Sequence, residues 1–248
     1  MGPLPGQFKV VTKIITKVIA VFTLLLWSTA FSARADMDQN LFTCQYYLLE
    51  LITEVELYRK GQGQSDVYEQ LTGHLKQFRT HFESLSESIP ETDREGLEQQ
   101  WKQVARNLSA LLVTIRQGGF IDQEIRYQYQ EQTSLLWNQL HGVALGLRKL
   151  TNHEQIILQL QLANLRYLEP QWRLAPYEEG NIATITEQID ANISTQNNLP
   201  PDFGRKWPLL RQALLQEGGS MSFIVNRYSG DLMSMLLENL QMSDQQKD

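Results

Sequence analysis

The sequence predicts an all-α protein, an up-down helical bundle of about eight helices. Three observations carry this expectation. Apolar residues recur three and four positions apart in nearly every segment after residue 40, strand-like alternation is absent, and the periodic stretches are separated by glycine and proline punctuation.

The first helix is expected from Asn40 to Tyr58, with Leu41, Cys44, Leu48, Leu51, Val55 and Tyr58 on one face, and it stops at Gly61-Gln62-Gly63. The second opens at Asp66 with Glu69 as its capping-box partner, and its seam is Leu71, Leu75, Phe78, Phe82, Leu85 and Ile89. Pro90 ends it. Thr92 and Glu95 form a second capping box that starts the third helix, whose seam is Leu97, Trp101, Val104, Leu108, Leu111 and Ile115. Gly118-Gly119 supplies its stop.

A fourth helix starts near Asp122 and carries Ile125, Tyr129, Leu136, Leu140, Val143 and Leu147. Gln132 and Thr133 interrupt its apolar face, as a polar layer in the core or as a wet end. Thr151 and Glu154 make a third capping box before Ile156–Leu168, a segment apolar on several faces and so the most buried helix. Pro170 terminates it. After Trp172 and Pro176 come a shorter helix around Ile182, Ile185, Ile189 and Ile193 and a loop from Asn197 to Asp202. Pro208 reads as the first residue of the next helix, because a deeper proline removes a backbone hydrogen bond. Gly218-Gly219 ends that helix, a last one runs from Met221 to Leu240, and a polar, frayed tail is expected from Ser243.

Residues 1–35 read as a secretory signal. Lys9, Lys13 and Lys17 precede an apolar stretch from Val18 to Phe31, and the small-x-small site Ala33-Arg34-Ala35 closes it before Asp36. The stretch falls short of the roughly 20 apolar residues that cross a bilayer comfortably. The alternative is an uncleaved anchor helix from Val10, with lysines snorkelling to headgroups. Cleavage after Ala35 removes four basic side chains and no acidic one, leaving 18 basic against 28 acidic and a net charge of −10. Such a chain is a poor partner for nucleic acid or anionic membrane surfaces. Periplasmic or secreted localisation follows, with no membrane association after cleavage. Cys44 is the single cysteine, so packing alone must hold the exported fold; it is in phase with the first seam, as a core residue, although a leftover thiol can also pair or react.

The two halves share landmarks in one order: Tyr58 or Tyr167 at a helix end, Trp101 or Trp207 near the start of a third helix, then Gly-Gly and a final helix. This divides the chain into unit 1 (36–148), unit 2 (149–243) and a polar tail (244–248), the units being two tandem four-helix bundles or parts of one packed domain.

Chemistry is mostly excluded. His74, His81, His141 and His153 have no glutamate three residues before them and show no zinc spacing, and His74 and His81, about 10 Å apart along a helix, are too distant to share an ion. They read as half-buried structural residues. No haem, phosphate-loop, nucleophile-elbow or EF-hand pattern occurs, and the carboxylates on helices are expected mostly on solvated faces. No cofactor, metal or catalytic residue is therefore assigned.

One constellation remains: Arg126-Tyr127 and Arg227-Tyr228 each lie in the first two turns of the expected final helix of a half, where arginine opposes the helix dipole. Each guanidinium calls for an anion, either a protein carboxylate or a bound ligand or partner, with tyrosine as a stacking wall. Trp101, Trp137 and Trp207 are either pocket walls or core. The functional expectation is a non-enzymatic exported bundle for binding, sensing or docking in the bacterial cell envelope, its ligand or protein partner unspecified. The alternatives are a membrane-tethered interaction protein that retains Val10–Phe31, and an enzyme whose site converges from several helices.

Overall fold

The computed structural model describes residues 37–118, 123–146, 150–178, 180–196, 198–216 and 221–245. The leader, Asp122, Leu147 and the glycines 119, 218 and 219 lie outside the described residues. Among those described there are eight helices and no strand. They are α1 (37–60), α2 (Ser65–Ser88), α3 (Glu91–Arg116), α4 (Gln123–Gly146), α5 (Asn152–Leu168), α6 (Ile182–Ser194), α7 (Pro201–Leu215) and α8 (Ser222–Gln245).

The expected seams are the buried faces. Leu71, Phe78, Phe82 and Leu85 of α2 and Leu97, Val104, Leu108, Leu111 and Ile115 of α3 are all buried, while Trp101 covers the core partly exposed, its ring packed on Phe78 and Phe82. One apolar cluster runs from Leu41 to Leu236 through both halves. Cys44 is a fully buried member of it, and burial pushes its thiol well above the ordinary range. As expected, α5 is buried on several faces, with 13 of its 17 residues enclosed, and α1 is buried all round along 51–58. These two helices meet: Gln161 Nε2 on α5 donates to the Tyr46 carbonyl at 3.2 Å and to Glu50 Oε1 at 2.9 Å on α1. Around them α2 packs on α3 and α3 on α4, while α6 and α8 pack on α5 and α7 on α8. Helices α5, α6 and α7 are 17, 13 and 15 residues long against 24 and 26 for α2 and α3, so the landmarks cannot keep one spacing between the halves.

The helix ends correct several expectations. The Thr151/Glu154 capping box forms in full. The other two do not: α2 starts at Ser65 behind Gln64, and α3 starts at Glu91 behind Pro90, so Asp66 and Thr92 are already inside their helices, where neither can cap. Pro208 is not the first residue of its helix. Pro201 takes that role, and Pro208 lies mid-helix, exposed like Gly204, so the carbonyl it leaves without a donor is on the solvent side. The last helix continues to Gln245, past the start expected for the tail. Gly118 sits at φ +64° after α3, a left-handed geometry that glycine adopts without strain. Thr133 is fully buried on α4 and Gln132 half-buried, its carbonyl accepting from Gln100 Nε2 at 2.7 Å, so the break in the α4 face is a polar layer at the edge of the core.

Candidate functional site

Helix α1 is the organiser of the buried charge. Glu54 and Glu56 are 4% and 2% exposed, exceptions among helix carboxylates that mostly face solvent as expected. Two residues subtend about 200° around a helix, so these glutamates point to opposite sides of α1.

Glu56 faces α4 and the end of α5. Its Oε2 accepts from Arg59 Nε at 2.9 Å, and its Oε1 accepts from the Trp172 indole at 3.0 Å. Arg59 Nη2 also donates to Glu169 Oε2 at 2.8 Å, and Arg126 Nη2 donates to the same oxygen at 2.5 Å while standing 3.9 Å from Glu56 Oε2. Two carboxylates thus meet two guanidiniums, and the cluster is neutral. Tyr129 lies buried beside it, its hydroxyl held protonated first by burial and then by the nearby Glu56 charge. Here the anion called for by Arg126 is a pair of protein carboxylates.

Glu54 faces α2. Its Oε1 is 2.9 Å from His74 Nδ1, and Glu50 lies one turn before it on α1. Ligand atoms of Glu50, Glu54 and His74 all lie within 4.8 Å of one another. Burial pushes the Glu54 carboxyl up against the opposing pull of His74. The hydrogen bond to Glu54 outweighs burial at His74 and pushes the imidazole above its ordinary value of 6.5. The His74 ring also packs against Tyr47, centroids 5.7 Å apart, and Tyr47 stacks on His81 at 5.8 Å. His81 has the structural role expected of it, with Nδ1 3.2 Å from Asn40 Oδ1. His74 is half-buried as expected and in addition joins a carboxylate cluster on α1. The sequence sign of that cluster is the Glu50-x-x-x-Glu54 step on α1.

The other expected site residues are scattered. Tyr127 is 61% exposed and lines a groove of about 740 Å³ between α3 and α4 whose walls include Gln99, Gln100, Gln103, Gln128, Gln132 and Gln139. Arg126, committed to Glu169, is not among the groove's lining residues. On α8, Arg227 and Tyr228 are both exposed, and Arg227 makes no ion pair among the described residues. The two Arg-Tyr pairs therefore differ in setting, Arg126 bound to a protein carboxylate and Arg227 exposed. The tryptophans belong to the core: Trp137 Nε1 donates to the Ala175 carbonyl at 2.7 Å, and Trp207 Nε1 to Asp190 Oδ1 at 2.7 Å. No family model matches the chain, and comparison with curated proteins and with solved structures gives no significant match.

Proposed function

We propose that the chain is a non-enzymatic, exported helical-bundle protein of the bacterial cell envelope that binds a neutral, saccharide-type ligand in the α3–α4 groove. Export rests on the leader-like residues 1–35, and no helix among the described residues is long and apolar enough to cross a membrane. The observation that carries the ligand class is Tyr127, an exposed ring on a groove walled by six glutamines. An amide side chain both donates and accepts, which suits hydroxyl and acetamido groups, and an exposed aromatic face suits a sugar ring. Arg106, Glu124 and Glu131 also line the groove, so it has no strong excess of either sign to select a highly charged ligand. Titration with N-acetylglucosamine oligomers, followed by calorimetry, tests the reading. Saturable binding weakened about tenfold or more by Tyr127→Ala and by Gln103→Ala is expected, tenfold corresponding to about 1.4 kcal/mol. Absence of saturation, or binding that both substitutions leave unchanged, would overturn it.

A further inference from the structure

We propose that Glu50, Glu54 and His74 form a binding site for one divalent transition-metal ion, with Zn²⁺ the natural probe, where α1 faces α2. This site is separate from the α3–α4 groove and does not depend on the saccharide reading.

The donor set is the first argument. Glu50 and Glu54 stand one turn apart on α1, His74 reaches them from α2, and their ligand atoms lie within 4.8 Å of one another. Mixed imidazole and carboxylate donors suit first-row divalent ions, and the general affinity order places zinc above manganese for such a set. Three protein ligands leave coordination positions to water.

Charge is the second. Tyr46, Tyr47 and Gln161 around the cluster are neutral, and neither glutamate makes an ion pair with lysine or arginine among the described residues. Two carboxylates against one imidazole leave net negative charge even when His74 is protonated. On the other side of the same helix, Glu56 and Glu169 have a guanidinium each.

The third is an orphaned atom. Glu54 is 96% removed from solvent, judging by its 4% exposure, and its Oε2 is buried with no hydrogen-bond partner. A buried carboxylate oxygen left without a donor is costly, and a cation beside it removes that cost. The surroundings orient the donors as the outer shell of a metal site does: Gln161 Nε2 holds Glu50 Oε1 at 2.9 Å, the Tyr46 hydroxyl bonds Glu50, and Tyr47 packs on the His74 ring. Because a ligating imidazole must be neutral, the ion displaces the His74 proton, and binding weakens as pH falls.

The test is calorimetric titration of the purified, chelator-treated, tag-free protein with ZnCl₂ and with MgCl₂, together with visible spectroscopy after CoCl₂ addition. One saturable zinc site is expected, at least tenfold tighter than magnesium. Glu54→Gln and His74→Ala should each weaken zinc at least tenfold and bleach the cobalt bands, and Gln161→Ala should weaken it about tenfold, the lower range for loss of an orienting partner. Helical content by circular dichroism accompanies each variant, and Glu50→Gln, at a partly exposed position, replaces any variant that unfolds. A wild-type protein that takes up no zinc, or folded variants that bind it as tightly as wild type, would reduce the cluster to a plain Glu54–His74 ion pair and overturn the proposal.

Discussion

Glu54 and Glu56 are neighbours on one helix and equally buried, yet their surroundings differ in kind. Glu56 is met by Arg59, by the Trp172 indole and, at longer range, by Arg126, with Glu169 completing a neutral set. Glu54 has a single half-buried imidazole and shares its side of α1 with a second carboxylate, Glu50. The difference teaches that burial of a charge does not by itself identify a structural or a functional group. What separates them is whether the protein supplies the counter-charge, since a fully paired cluster locks elements together and an underpaired one leaves a place for a cation.

The comparison is broken most directly at its neutral end. Glu56→Gln should cost about 3 kcal/mol, the lower range for removing one partner of a buried ion pair because both arginines keep some contact with water. Urea unfolding would measure it, and a loss under about 1 kcal/mol would mean the cluster is not a lock. Arg126→Ala is expected to cost about 2 kcal/mol by the same measurement, whereas Arg227→Ala, an exposed position without such a partner, should stay within about 0.5 kcal/mol. Equal effects would erase the distinction between the two Arg-Tyr pairs. A smaller contrast concerns helix starts: Thr151→Ala should lose about 1 kcal/mol with its capping box, and Thr92→Ala, inside α3, within about 0.5 kcal/mol.

The smallest expected effect is a pH dependence. His74 is shifted up by its bond to Glu54, so it binds more protons folded than unfolded above its ordinary value of 6.5. Its contribution is fully present below that value and is lost as pH rises from 6.5 through the raised one. Glu54, also shifted up, acts in the same sense from its ordinary 4.5 upward. Burial moves His81, His141 and His153 the other way; their contributions are lost as pH falls below 6.5, outside the His74 window. Chemical unfolding at stepped pH should therefore show a decline just above pH 6.5 that His74→Gln makes shallower.

The bundle was legible because its signal is local. Leu71, Phe78, Leu85 and their counterparts fall at helical spacing, and Thr151 with Glu154 lies within one turn. Asp66 and Thr92 misled because the same residue types also begin helices from the inside, and only the backbone says where the turn starts. Pro208 misled because an exposed proline can be absorbed mid-helix when its orphaned carbonyl reaches water. The clusters on α1 were not legible. Glu56 finds Trp172 from 116 residues away, Arg59 finds Glu169 from 110, and no periodicity in α1 tells which of its glutamates a guanidinium will meet.

Paired unfolding of Glu54→Gln and Glu56→Gln, each with chelator and with zinc, tests the contrast most directly. The account predicts that without metal Glu56→Gln loses several-fold more stability than Glu54→Gln, and that zinc stabilises wild type and Glu56→Gln but not Glu54→Gln. Equal losses without metal, together with no zinc effect on any of the three proteins, would contradict it.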